Sequence, residues 1–177
     1  MAQQWRTQRP AGDEYAAYYQ RYIDQVPPGD VLKGMESQFA DTLALLRSLS
    51  ESRGDHRYAP EKWSIKEVVG HLCDSERVFA YRLMRVARGD PTPMPAFDEN
   101  EYVRQANFGA RTLADLVGEF ERVRGATRAL VAPLDDGFME RRGTASGHTI
   151  SARALAYIVA GHERHHVKIL RERYLGG

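Results

Sequence analysis

His162-Glu163-Arg164-His165-His166, within the run Ser151–Tyr174, is the stretch whose reading decides the fold of this chain. Around it Leu155, Ile158, Val159, Ile169 and Leu170 recur at helical spacing, which predicts one long amphipathic helix over roughly Ser151–Arg173. With residues turned about 100° apart, His162 falls near the middle of the apolar stripe and His166 about 40° from it. His165 falls toward the edge. Two imidazoles one turn apart on an inward face can grip one metal ion. The alternative is a pair of core histidines bonded to backbone or carboxylate groups.

The same residues spell H-E-x-x-H, in which the glutamate acts as general base on a zinc-bound water. The rest of the chain argues against that use. Proteases of this type take a third ligand from downstream, and the eleven residues after His166 hold no histidine and one carboxylate, Glu172. They also hold substrate on a β-sheet, and no convincing strand is legible here. A third ligand must come from upstream.

A chain of 177 residues suits one domain with a full core. Lys and Arg number 25 against 24 Asp and Glu, so no basic surplus points to nucleic acid. Cys73 is the sole cysteine, which excludes an internal disulfide and fits a reducing compartment. The first residues form no apolar signal core, and the longest apolar run, Ala154–Ala160, is too short to span a bilayer. The expectation is a soluble, cytoplasmic protein with neither nucleic-acid nor membrane partners.

Upstream, residues 1–12 are polar and expected to be loose. Tyr15, Tyr18, Tyr19, Tyr22, Ile23 and Val26 mark a short helix over Asp13–Val26, stopped by Pro27-Pro28-Gly29. Its tyrosines suggest a segment packed outside a bundle, the alternative being an aromatic ligand wall. Asp30 is placed to cap a helix striped by Leu32, Met35, Phe39, Leu43, Leu46 and Leu49. Ser64-Ile65-Lys66-Glu67 is a capping box, with Trp63 and Val68 at the staple positions. The helix it opens runs to about Arg88. His71 lies at the edge of its apolar face, about 60° from the centre, where a ligand with one open side belongs; Cys73 points about 140° away. Asp74 follows His71 by three residues and could orient its imidazole or contact a substrate.

Gly89-Asp90-Pro91-Thr92-Pro93-Met94-Pro95 cannot be helical and begins a long crossover to Ala110, with a short helix expected within Phe97–Ala106. Thr112 caps a further helix striped by Leu113, Leu116, Val117, Phe120, Val123 and Leu130, ended by Pro133. The loop Arg141–Thr149 feeds the last helix. Four long amphipathic helices with one crossover, between the second and third, make an all-α four-helix bundle. His71 would then face His162 and His166 across its interior, three ligands with an open fourth position.

Lys62-Trp63-Ser64-Ile65-Lys66-Glu67-Val68-Val69-Gly70-His71-Leu72-Cys73-Asp74-Ser75, followed some ninety residues later by His162-Glu163-Arg164-His165-His166, resembles the DinB-like (YfiT-type) metal-binding superfamily from about Val31 to Leu170. The resemblance implies a single domain over 1–177 with residues 1–29 packed on the bundle. It implies that His71, His162 and His166 bind one divalent metal, with zinc and nickel foremost and other ions left open by a nitrogen-rich site. Asp74 and Ser75 match residues that follow the first ligand, while Glu163 stands where the family requires no acid. Relatives include S-transferases that use thiols such as bacillithiol, and mycothiol-dependent isomerases that carry a further C-terminal domain.

Two functions follow as expectations. One is a metal-dependent enzyme, a thiol-dependent S-transferase or hydrolase acting on a small molecule. There Asp74 and Glu163 are the candidate catalytic residues for orienting or proton-transfer roles, and the Gly89–Ala110 crossover, with Phe97, Asp98 and Tyr102, covers the mouth. The other is a non-catalytic, stress-related module that binds a metal or small ligand. A di-iron carboxylate centre would need a second Glu-x-x-His beside Glu163-x-x-His166, and none exists. A homodimer is compatible with either function.

Overall fold

Each long helix begins where the sequence offers a side-chain oxygen to its first free amides. In the computed structural model, which describes residues 3–176, Asp30 accepts from the amides of Leu32 and Lys33. Ser64 and Glu67 close the capping box, Thr112 accepts from Asp115, and Ser151 accepts from Ala154. The helices are α1 (Gln20–Ile23), α2 (Val31–Arg47), α3 (Ile65–Ala87), α4 (Glu99–Ala106), α5 (Leu113–Val131), α6 (Asp136–Met139) and α7 (Ala152–Ile169), the last running on into a π-turn at Leu170–Tyr174. Helix α3 packs against α7 and α5, and α2 closes the ring against the same two. This is the expected four-helix bundle, with α4 inside the crossover from α3 to α5. No helix among the described residues is long and apolar enough to cross a membrane.

The core has two apolar halves. One gathers Val31 and Met35 of α2, Phe79, Leu83 and Val86 of α3, Val131 of α5 and residues 154–160 of α7. The other gathers Phe39, Leu43, Leu46, Ile65, Val68, Leu72, Leu116, Val117, Phe120 and Leu170. Along α3, α5 and α7 the switch between halves is marked by buried polar residues: His71, Ser75 and Glu76; Arg124; His162 and Glu163. The chemistry therefore lies at mid-height of the bundle.

Three local expectations are corrected. Arg141–Thr149 is not a plain loop: β1 (Arg142–Ala145) and β2 (His148–Ser151) pair antiparallel as a two-stranded hairpin. Its turn residues, Ser146 and Gly147, both have positive φ, the type I′ signature. Backbone bonds tie the hairpin to Met94, pinning the crossover against it. The tyrosine segment is not one helix but 3-10 turns followed by the single turn α1. Nor are residues 3–12 loose, the expectation for Met1 and Ala2 lying outside the described residues. Trp5 is fully buried, its indole donating to the Leu134 carbonyl at 3.0 Å, and Glu14 is buried against Arg153 and the Ser151 hydroxyl. Among these polar residues one tryptophan supplies enough apolar area to anchor the segment.

Gly161 explains how closely α1 can lie on α7. A β-carbon there would stand 2.0 Å from the carbonyl oxygen of Tyr22, so only glycine permits the contact. That approach brings Tyr22 over the histidines.

Candidate metal centre

His71 comes from the second turn of α3, His162 and His166 from consecutive turns of α7. Trp63, placed by the Ser64 cap, packs its ring 4.7 Å from that of His71. Next to His71, Gly70 lies against the Phe108 ring, where a β-carbon would come within 2.5 Å. The first two histidines are buried and His166 is partly so. The Nε2 atom of His162 lies 3.1 Å from that of His71 and 3.2 Å from that of His166. A neutral ring nitrogen offers one proton or one lone pair in the ring plane, so it cannot serve two such neighbours well. Two imidazoles bound tetrahedrally to one zinc ion, at about 2.0–2.1 Å each, stand about 3.3 Å apart. One donor atom from each histidine lies within 4.8 Å of the others, and the set fits a divalent ion.

Electrostatics favour the ligand form. Burial pushes the pKa of His71 down to about 4, with His165 adding to the effect. Burial, followed by neighbouring imidazoles, holds His162 and His166 well below the usual histidine range. All three are neutral at pH 7, the state in which imidazole binds metal. The Ser75 hydroxyl lies 3.3 Å from His71 Nδ1. His165 turns aside, its Nδ1 3.3 Å from the Gln25 amide.

The remaining sequence candidates sit elsewhere. Cys73 is buried on the α5 side, its sulfur 4.0 Å from the Leu116 carbonyl oxygen. Asp74 does not meet His71; it lies 3.5 Å from Arg77, and burial pushes its carboxyl above the ordinary range. Glu163 is committed to the polar layer: it accepts from the Thr42 hydroxyl at 2.6 Å and from Arg124 at 2.5 Å. Arg124 also grips Glu76 through two bonds of 2.8 Å. Thus α2, α7, α5 and α3 are joined through one buried cluster.

The three histidines floor a cavity of about 450 Å³ walled by Tyr18, Tyr19, Tyr22, Trp63, Phe79 and Phe97. Tyr22 and Phe79 stand edge-on to the His162 ring at 5.1 and 5.5 Å. The tyrosine segment packs outside the bundle on α7, as expected, and its rings also wall the cavity. Ser146 and His148 of the hairpin and Arg21 of α1 also reach the cavity. Sequence gave no signal for these, except that Trp63 sits just before the cap of the helix bearing His71. Of the crossover residues, Phe97 lines the cavity, Asp98 caps α4 and Tyr102 is largely exposed.

A family model for the DinB superfamily matches residues 35–170. A search of curated proteins by sequence found no match. Among solved structures, YfiT from Bacillus subtilis, described as "a probable metal-dependent hydrolase with an unusual four-helix bundle topology", superposes with a TM-score of 0.67 at 17% identity, over 96% of this chain and 97% of that one. A mycothiol-dependent maleylpyruvate isomerase superposes at 0.64 with 16% identity over 77% of this chain. That match covers 58% of the isomerase, so it concerns little more than half of that protein. Both likenesses concern the fold, and with the match of the family model the chain belongs to the DinB superfamily.

Proposed function

We propose that this protein is a metal-dependent enzyme, in which His71, His162 and His166 hold one divalent ion and a low-molecular-weight thiol is transferred to a small electrophile. The observation that carries this reading is the convergence of three neutral imidazoles on the floor of an aromatic cavity of about 450 Å³. A divalent ion held there supplies a Lewis-acid centre that lowers the pKa of a thiol or water meeting it. The histidines leave one side of that centre facing the cavity, where structural sites usually close all four positions.

The choice of thiol over water rests on the likeness to the mycothiol-dependent isomerase, since a divalent ion activates either nucleophile. Glu163 is bound to Arg124 and Thr42, and Asp74 to Arg77, so neither faces the cavity as a general base. Glu99 is the one carboxylate on the cavity wall. A thiol, far more acidic than water, ionises without a dedicated base and is nucleophilic once ionised. The cavity also has room for more than a water. Tyr22, Phe79 and Phe97 exclude solvent and give an apolar electrophile surfaces to rest on.

The test is conjugation of bacillithiol and of a simple thiol to 1-chloro-2,4-dinitrobenzene. Zinc- or nickel-loaded protein is compared with the His162→Ala variant, with ester hydrolysis measured alongside. Thiol-dependent conjugation that is lost in the variant supports the transferase reading. Metal-dependent hydrolysis without conjugation would replace it with a hydrolase. Neither activity, with metal still bound, would leave a binding module.

A further inference from the structure

Two arginines are buried outright, Arg82 and Arg124, and of these only Arg124 faces acids; among half-buried ones Arg85 and Arg153 meet acids, while Arg53 and Arg164 bond backbone carbonyls instead. Arg124 faces Glu76 and Glu163, Arg85 bonds Asp90 at 2.6 Å, and Arg153 meets Glu14. Arg82 of α3 is only 2% exposed, yet no carboxylate oxygen among the described residues lies within 4.0 Å of it. Its Nη2 donates to the Pro95 carbonyl at 2.6 Å and to the Ser146 hydroxyl at 3.1 Å, and its Nη1 lies 3.5 Å from the Tyr19 hydroxyl. Ser146 and Tyr19 line the cavity, so this uncompensated cation stands directly behind the wall.

A second guanidinium, solvent-exposed, stands on the wall itself. Arg21 lies over the rings of Tyr18 and Tyr22, at 3.9 and 4.8 Å, and donates to the Tyr22 hydroxyl at 2.9 Å. It too has no carboxylate within 4.0 Å among the described residues. The Tyr22 ring is 5.1 Å from that of His162, so Arg21 lies within about 10 Å of the histidine centre. Glu99 is the one carboxylate on the wall. On the wall Arg21 and Glu99 carry opposite charges, and the buried Arg82 behind it adds a positive one. A buried cation without a partner is unfavourable, and a planar guanidinium held on aromatic faces is suited to grip a carboxylate.

We propose that the substrate is an aromatic or flat apolar molecule bearing a carboxylate, with Arg21 on the cavity wall holding that carboxylate. This rests on the reading of the cavity as the reaction site and adds the class of molecule it takes. Arg21 acts as a binding and specificity residue; Arg82 strengthens the field through Ser146 and Tyr19.

The test is titration of the full chain, zinc-loaded and metal-free, with phenylacetate, 3-phenylpropionate and 4-phenylbutyrate, each beside its neutral primary amide. At least one carboxylate is expected to bind tenfold or more tightly than its amide. Arg21→Gln should abolish that preference and Arg21→Lys retain part of it, both with unchanged melting temperature in the absence of ligand. The preference should persist in metal-free protein and in His162→Ala. Equal binding, or no binding, across all three pairs overturns the substrate class. A preference that survives Arg21→Gln, or that disappears with the metal, overturns the role of Arg21. Intact preference in a protein without metal-dependent turnover would refute the enzyme reading alone and leave this one standing.

Discussion

The carboxylate of Glu163 accepts a hydrogen bond of 2.5 Å from Arg124, and both side chains are about 1% exposed. Glu163 follows His162 directly, yet it points into the joint between four helices rather than toward the histidines. The H-E-x-x-H pattern therefore divides its labour: its histidines face the cavity and its glutamate holds the bundle together.

Replacing Glu163 should consequently act on stability. Glu163→Gln keeps the shape and some hydrogen bonding, and is expected to lower unfolding stability by about 1–3 kcal/mol. Glu163→Ala leaves Arg124 facing a buried gap and should lower it by about 3–5 kcal/mol. Denaturant unfolding measures both. In the Gln variant bound metal should be retained and the pH profile of any activity unchanged. A lost acidic limb in that profile would identify Glu163 as a proton acceptor instead.

Removal of the imidazoles should act on metal content. His71→Ala, His162→Ala and His166→Ala are each expected to lower zinc or nickel per chain at least tenfold by elemental analysis. His165→Ala and Cys73→Ala should leave it unchanged, because one side chain turns to Gln25 and the other lies buried beside Leu116. Added zinc should raise the melting temperature of the native chain, since a ligand that binds only the folded state stabilises it. That rise should be absent in the three cavity variants.

Gly161→Ala separates the aromatic wall from the histidine floor. Its new methyl would meet the Tyr22 carbonyl, so either α1 lifts from α7 or the contact is strained. A destabilisation of about 1–3 kcal/mol is expected. The segment through α1 should become protease-sensitive while metal content persists. Retained ligand binding in that variant would show that Tyr18, Tyr19 and Tyr22 do not form the working wall.

The attachment of the N-terminal segment should depend on pH through Glu14. Burial pushes its carboxyl up, but the Arg153 guanidinium, the Ala11 amide and the Ser151 hydroxyl outweigh this, and the folded pKa lies below its ordinary value of 4.5. The folded state thus favours the carboxylate. The stabilisation is present above 4.5 and is lost as pH falls through the lower folded value. Hydrogen-exchange protection of Trp5 and its neighbours, taken relative to the intrinsic rate at each pH, should fall over that acid range. Glu14→Gln should show low protection already at pH 7 and little further pH dependence.

The sequence by itself determined the bundle and the floor of the cavity. Capping oxygens at Asp30, Ser64, Thr112 and Ser151 act over three or four residues, and helical periodicity fixes which side chains face inward. Such local signals placed His71, His162 and His166 on converging faces. The hairpin escaped because Arg142–Ser151 carries almost no apolar alternation; its form depends on a Ser-Gly turn and on backbone bonds to Met94. The tertiary structure alone decided three things. It set Glu163 against Arg124, 39 residues away. It turned the tyrosines into a wall through the approach at Gly161, and it left Arg21 and Arg82 without acidic partners beside the cavity. Periodicity tells which face of a helix is buried, but the charge or ring that meets a buried side chain comes from another helix, and only the packing of the helices brings the two together.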